Sequence, residues 1–169
     1  IIIFCATRNR VDQLSRNLYR QGINSQRLHG GLSQNMRKHA IDMFHGKKIS
    51  ILVASDVAAR GLDIKDVSHI INYDMPKTSK EYIHRIGRTA RAGSEGKVIS
   101  LISEQDHDNF RKILEDSSIK VERSDIPKFK RMPFLRQENR RFNKNHRNNS
   151  NHHRRNEQQG LHRRSIPRR

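Results

Sequence analysis

The chain has 169 residues, and its 35 Lys and Arg against 17 Asp and Glu give a formal net charge of +18 and a pI near 11. This excess indicates nucleic acid rather than a membrane as the partner, and no apolar run reaches the roughly 18 residues that a membrane-spanning helix needs. Because a single cysteine, Cys5, cannot form an internal disulfide, we expect a reducing compartment, the cytoplasm.

Five strands are predicted, most of them from apolar and β-branched runs that are too short to be helices. In chain order they are Ile1–Cys5, Gln26–Leu28, Ile49–Ala54, Val67–Tyr73 and Lys97–Ile102.

Four helices are predicted between these strands, each from apolar residues at helical spacing. The first is capped by Thr7 and ended by Gly22, and the second runs from a Ser33 cap to Gly46. The third begins at a Ser79 cap and the last covers Gln105–Asp116. Their predicted inward faces are Val11, Leu14 and Leu18; Met36, Ala40, Met43 and Phe44; Tyr82, Ile83 and Ile86; Phe110, Ile113 and Leu114.

Strands that are apolar on both faces and alternate with helices predict an α/β fold, a parallel sheet covered by helices on both faces. Ligands bind such sheets at the loops beyond the carboxyl ends of the strands. We therefore expect the functional segments to be Ala6–Arg10, His29–Gly31 and Ser55–Asp63. Periodicity does not predict the order of the strands.

Three arginines at positions i, i+3 and i+6 mark the segment His84–Gly93. Their guanidinium groups would repel one another on one face, so their proximity favours a polyanion, whose phosphates arginine binds in bidentate fashion. Two glycines, Gly87 and Gly93, would allow close backbone approach and a positive φ. A solvated basic helix face is the alternative interpretation of these arginines.

A second polar segment, Ser55–Ile64, directly follows the third predicted strand. It offers a hydroxyl at Ser55 and carboxylates at Asp56 and Asp63, near Arg60. Taken alone, Asp56 is equally well explained as a cap of the following turn.

Together, these two segments resemble motifs V and VI of the C-terminal RecA-like domain of DEAD-box ATP-dependent RNA helicases, in superfamily 2. Ile2–Phe4 is similar to motif IV of that family, and Gln34-x-x-Arg37 to its QxxR segment. The resemblance covers residues 1–127, the predicted folded domain.

The resemblance implies a role in binding and hydrolysing ATP with Mg²⁺. Arg88 and Arg91 would be the catalytic residues, acting as arginine fingers on the γ-phosphate, and Asp63 would reach the ribose. The implied ATP-binding set is Gly61, Asp63, Arg88 and Arg91. No metal ligand is expected in this chain, because ATP and Mg²⁺ would be held mainly by an N-terminal RecA-like domain. Ala90 stands where the family more often has glycine, which bears on the placement of Arg91.

The resemblance also implies contacts to RNA and to that second domain. The implied RNA-binding residues, which would contact sugar and phosphate with little reading of bases, are Arg8, Gly30, Gly31, Arg37 and Ser55. The implied interdomain-coupling residues are Arg60, His84 and Arg85.

Two segments that phosphoryl transfer requires are missing from the sequence: a G-x-x-x-x-G-K-[ST] phosphate loop and Asp-Glu-Ala-Asp. We therefore expect this chain to be the C-terminal part of a longer helicase and to be inactive alone. A stand-alone RNA-binding or RNA-annealing protein without ATPase activity is the alternative.

Residues 128–169 form a predicted disordered tail. They hold 14 Lys and Arg against two Glu, a net charge of +12, and have few apolar residues with which to form a core. The tail is interpreted as a sequence-tolerant RNA tether, with a solubilising or localising tail as the alternative.

Overall fold

Five parallel strands form a single sheet in this computed structural model, which describes residues 1–59, 64, 67–89, 96–130 and 132–135. The strands are β1 (Ile2–Cys5), β2 (Ser25–Leu28), β3 (Ile51–Ser55), β4 (His69–Asn72) and β5 (Lys97–Ser100). Their order is β2-β3-β1-β4-β5, which places β1 at the centre. Cys5 lies beside Ser55, and Phe4 beside Asn72, at the carboxyl ends of the three central strands.

The helices that connect the strands confirm the predicted alternation and add one element. They are α1 (Arg8–Arg20), α2 (Gln34–His45), α3 (Asp56–Ala59), α4 (Ser79–Ile86) and α5 (His107–Leu114), and a 3₁₀ turn (Glu104–Asp106) precedes α5. The added element is α3. Asp56, for which a cap of the following turn was one interpretation, is the first residue of this helix. No helix among the described residues is both long and apolar enough to span a membrane.

Apolar side chains pack on both faces of the sheet, as predicted. On one face, residues such as Phe4, Leu28 and Leu52 pack with Ala40 of α2 and Ala58 of α3. On the other face, α1 packs through Val11 and Leu14 against Cys5. A third group lies between α4 and α5, and it contains Met75, Tyr82, Ile113 and Ile119. Burial raises the pKa of the Cys5 thiol to about 12, so Cys5 is a neutral core residue.

Helix caps follow from local sequence at three of the predicted positions. Thr7 and Ser33 accept hydrogen bonds from the backbone N–H groups of Arg10 and Met36, as predicted. Gly22 takes the left-handed conformation, with φ of 74°, immediately after the end of α1. The cap of α4 was predicted one residue late: it is Thr78, not Ser79, whose hydroxyl accepts from Glu81.

Three predicted inward residues are wrong. Met36, Ile83 and Leu114 are 48%, 39% and 44% exposed. All three lie at the border of the apolar stripe of their helices. At such a position, a small difference in helix rotation decides whether the side chain faces the core or the solvent. The predicted positive φ of Gly87 is also wrong, since its φ is −65°. Lack of space for a side chain explains glycine at this position instead, because a Cβ there would lie 3.1 Å from the carbonyl oxygen of Ile83.

Lys47, directly after the Gly46 cap of α2, is the only non-glycine residue in the described part of the chain with a positive φ, 54°. A Cβ in this conformation costs roughly 1–2 kcal/mol. We therefore expect Lys47→Gly to raise the free energy of unfolding in urea by about 1 kcal/mol. The matched control is Lys48→Gly, at a residue with an ordinary backbone conformation, which should lower stability. Equal effects of the two changes would contradict the prediction.

Candidate functional site

The predicted functional loops all leave the carboxyl edge of the sheet, because every strand is parallel. The loop after β2 holds His29–Gly31, the loop after β1 leads into Arg8, and Ser55 ends β3 beside the start of α3. Asp74 follows β4 at the same edge. The edge thus carries a continuous row of polar groups from the outermost strand β2 to β4.

At one end of this edge lies an arginine–glycine surface made of Arg8, Gly30, Gly31, Arg37 and Ser55, the predicted RNA-binding residues. A Cβ on Gly30 would lie 3.4 Å from the Nη2 atom of Arg8, so the exposed guanidinium of Arg8 lies against this turn. Neither Gly30 nor Gly31 has a positive φ. At Gly31 the space is tighter, because a Cβ there would lie 3.1 Å from the Nδ1 atom of His29.

Arg37 connects α2 to α3 at the same surface. Its Nη2 atom donates to the Ala58 carbonyl at 3.5 Å, and its Nη1 atom donates to Gln34 at 3.3 Å. Its buried Nε atom finds no acceptor among the described residues. Ser55 is only 7% exposed, three residues before Ala58. The described contacts of Arg37 are thus made within the domain, and Ser55 is largely covered.

At the other side of the edge, Arg85 of α4 is buried, with 2% of its surface exposed. Its Nε and Nη2 atoms donate to the two carboxylate oxygens of Asp56 at 2.6 and 2.7 Å. Its Nη1 atom donates to Asn72 Oδ1 at 3.0 Å and to the Asp74 carbonyl at 2.7 Å. The guanidinium also lies 5.0 Å from the centroid of the Phe4 ring.

These contacts occupy the guanidinium of Arg85 within its own domain and connect α4 to Asp56, at the start of α3, and to β4 and the loop that follows it. The predicted role of Arg85 in coupling to a second domain stays a prediction. Asn72, a polar residue that directly follows the apolar pair Ile70 and Ile71 at the end of β4, was the sequence signal for a buried polar partner, and it was missed.

A shallow cleft beside Arg85 contains His84 and Arg88. Phe4, Asp56 and Glu81 also line it, and its volume of about 10 Å³ corresponds to one water molecule. His84 is exposed and Arg88 is half-buried at this cleft. Thr89, the residue after Arg88, is held in place by Val67. The Thr89 hydroxyl donates to the Val67 carbonyl, and the two residues form an isolated parallel β-bridge.

The cleft is far too small to enclose a nucleotide, and the described residues contain no cluster of His, Cys, Asp or Glu that could hold a metal ion. The donor set of Arg88 and His84 instead suits an anionic group presented from outside the domain. The other predicted ATP-binding and coupling residues, Arg60, Gly61, Asp63 and Arg91, lie outside the described residues.

Arg10 and Asp74 join the two sides of the edge, although neither was predicted as a site residue. Arg10 donates to Asp74 from Nε at 3.0 Å and from Nη2 at 2.6 Å, and the Ala6 N–H donates to Asp74 at 2.9 Å. The side-chain hydrogen bond to Asp74 raises the pKa of Arg10. Since the Asp74 carbonyl accepts from Arg85, one loop contacts both Arg10 and Arg85.

Known proteins resemble this chain in both sequence and structure. The family model described as the helicase conserved C-terminal domain matches residues 1–93. The ATP-dependent rRNA helicase RRP3 of Candida glabrata is 48% identical over 128 residues, which are 76% of this chain and 26% of that protein. The chain thus spans about a quarter of the length of this curated relative.

Two solved structures share the fold. One contains the E. coli DEAD-box protein SrmB bound to regulator of ribonuclease activity A; it is 45% identical, has a TM-score of 0.65, and the match covers 70% of this chain and 69% of that one. The other is S. cerevisiae Dbp5 bound to RNA and ADP BeF3, 36% identical with a TM-score of 0.63, covering 68% of this chain and 31% of that one. The chain therefore belongs to the helicase conserved C-terminal domain family, and its folded part is a C-terminal RecA-like domain of the DEAD-box type.

Proposed function

We propose that this chain is the C-terminal half of an ATP-dependent DEAD-box RNA helicase. In this function it supplies Arg88 and Arg91 to an ATP held with Mg²⁺ on an N-terminal RecA-like domain, and it grips the RNA backbone to unwind or remodel RNA. The observation that carries the proposal is the common edge of the sheet. There the cleft with Arg88 and the arginine–glycine surface flank one set of loops.

Each side of this edge has a separate chemical task. The guanidinium of Arg88 would stabilise charge that develops on a phosphoryl group presented by the second domain. Arg8, Arg37 and the backbone at Gly30 and Gly31 would contact sugar and phosphate, which positions a strand without reading its sequence. Bound ATP would supply the phosphoryl-transfer chemistry, and hydrolysis would release the closed arrangement.

The Arg85 network explains how the two sides would act together. Asp56 directly follows Ser55 on the chain, and Asp56 is bonded to Arg85 on the same helix as His84. RNA bound near Ser55 and a phosphate bound near Arg88 would therefore both be positioned by one buried ion pair. We propose that His84 and Arg60 contact the second domain and that Arg85, on the same helix as His84, positions His84.

A mixing experiment tests the proposed function. The chain would be combined with a separately purified N-terminal RecA-like domain of a DEAD-box relative, and phosphate release would be measured with and without single-stranded RNA. We expect RNA-stimulated hydrolysis in the mixture and none with either part alone. RNA binding by this chain that never yields hydrolysis would instead favour the alternative, an RNA-binding or RNA-annealing protein.

The basic tail is proposed to extend the RNA contact, because residues 128–169 carry a net charge of +12. The last described residue of this segment is held at α1: the Leu135 N–H donates to Asn17 Oδ1 at 2.9 Å, while Asn17 Nδ2 and Gln13 Nε2 donate to the Leu135 carbonyl at 3.2 and 3.3 Å. Asn17 lies about 14 Å along that helix from Arg8.

Deleting residues 136–169 removes 11 Lys and Arg but retains Leu135. We expect RNA affinity to fall at least about tenfold at 50 mM salt, and the decrease of affinity with rising salt to become shallower, because fewer counterions are released. Fluorescence anisotropy with a labelled oligouridine at several salt concentrations measures both effects. An unchanged affinity and slope would favour a tail that only solubilises or localises the protein.

A further inference from the structure

We propose that His29 is a positioning residue for the Gly30–Gly31 turn, and that Asp12 of α1 holds it in the tautomer that this task requires. The inference deepens the proposed function, because the RNA role of this turn rests on it. Nothing in the sequence pattern assigned a task to Asp12, and His29 was predicted only as part of the functional segment His29–Gly31.

The tautomer follows from one fixed donor. The backbone N–H of Gly31 lies 3.1 Å from Nδ1 of His29, and a peptide N–H can only donate, so Nδ1 must be the acceptor. The proton of the neutral ring is then on Nε2, which lies 3.2 Å from Oδ1 of Asp12. Both ring nitrogens are thereby used, each in the only role that its partner allows.

The burial of His29 and an ion pair between Arg27 and Asp12 restrict the geometry further. His29 is 5% exposed, so its ring has little freedom to turn. Asp12 accepts a further hydrogen bond from Nη1 of Arg27 at 2.8 Å, which fixes the carboxylate from the side of β2. The chain of contacts therefore runs from Arg27 through Asp12 and His29 to the backbone of Gly31.

The turn is also where Arg8 approaches the backbone. A Cβ on Gly31 would lie 3.1 Å from Nδ1 of His29 and 3.6 Å from Cδ of Arg8. The ring and the arginine thus bracket the glycine turn from two sides. If the His29 bond is lost, the Gly31 N–H is free to rotate away from the surface on which Arg8 and Gly30 lie.

Two isosteric variants separate the two bonds of the ring. In His29→Asn the amide oxygen replaces Nδ1 as the acceptor for Gly31, and the bond to Asp12 is lost. In His29→Gln the amide nitrogen can replace Nε2 as the donor to Asp12, and the acceptor for Gly31 is lost. His69→Gln is the matched control for removal of a histidine. His69 lies at the amino end of β4, away from the carboxyl edge that holds the Gly30–Gly31 turn.

The first measurement uses the full chain without RNA. Nitrogen-15 NMR of the histidine ring should show His29 with the proton on Nε2, and the Gly31 amide should exchange slowly with solvent. We expect His29→Asn to preserve that slow exchange and His29→Gln to accelerate it about fivefold, the change that corresponds to one lost hydrogen bond. A proton on Nδ1 of the wild-type ring would overturn the inference.

The second measurement is binding of a labelled oligouridine at 200 mM salt, where the contribution of the basic tail is reduced. We expect His29→Gln to weaken binding about fivefold, while His29→Asn and His69→Gln bind within about twofold of the wild type. Equal binding by the Asn and Gln variants would overturn the positioning role. If the wild-type chain shows the expected tautomer and yet binds no RNA, the proposed function fails, and the RNA part of this inference fails with it.

Discussion

Replacing Arg88 by alanine is expected to lower RNA-stimulated ATP hydrolysis about 10³-fold in the mixture of this chain with an N-terminal RecA-like domain. Arg88 lines the cleft beside Arg85. Its charge is proposed to meet the γ-phosphate only when the two domains close. An arginine that completes the site in this way acts on the transition state, so its loss should lower kcat with little change in the affinity for RNA.

Two controls make this result specific. Arg111→Ala removes an exposed arginine of α5 that does not line the cleft, and it should leave hydrolysis unchanged. Arg88→Lys retains a positive charge but loses the planar fork, and it should restore only a small part of the rate. Normal turnover by Arg88→Ala would refute its assignment as an arginine finger, whereas loss of RNA binding and turnover together would indicate a structural role instead.

Removing Asp56 is expected to lower the free energy of unfolding by about 3–5 kcal/mol, because it leaves the buried guanidinium of Arg85 without its carboxylate partner. Asn72 and the Asp74 carbonyl would still accept from Arg85, but neither carries a charge. Asp56→Ala is the change to make, and urea denaturation followed by circular dichroism measures its effect. An effect below about 1 kcal/mol would show that the ion pair contributes little to stability.

The chain itself offers a matched comparison. Arg10 and Asp74 form a bidentate pair of similar geometry, but the side chain of Arg10 is 49% exposed. Arg10→Ala should therefore cost about 1 kcal/mol or less. The double variant Arg85→Met with Asp56→Leu should be less destabilised than the sum of its single variants, because no uncompensated charge remains buried.

Sequence patterns predicted the elements of the fold well, because each depends on contacts within a few residues. Thr7 and Ser33 cap their helices through backbone N–H groups three positions away, and Gly22 follows the C-cap of α1 by its own backbone freedom. The unpredicted helix α3 and the late cap predicted at Ser79 are errors of this local kind. At the start of α4, the neighbouring hydroxyl residues Thr78 and Ser79 could both serve as the cap. Arg88, which was predicted from its motif as an arginine finger, lines the cleft beside Arg85, and its role stays a prediction.

What the sequence alone determined is the family, the α/β alternation and the residue types at the loops, since motif spacing and apolar periodicity are written along the chain. Only the tertiary structure decided the strand order and the partners of each polar group. Arg85, which was predicted to couple to a second domain, pairs with Asp56, 29 residues away, and Asp12 lies beside His29, 17 residues away. Such pairs depend on which strands become neighbours, and periodicity within a segment contains no information about that.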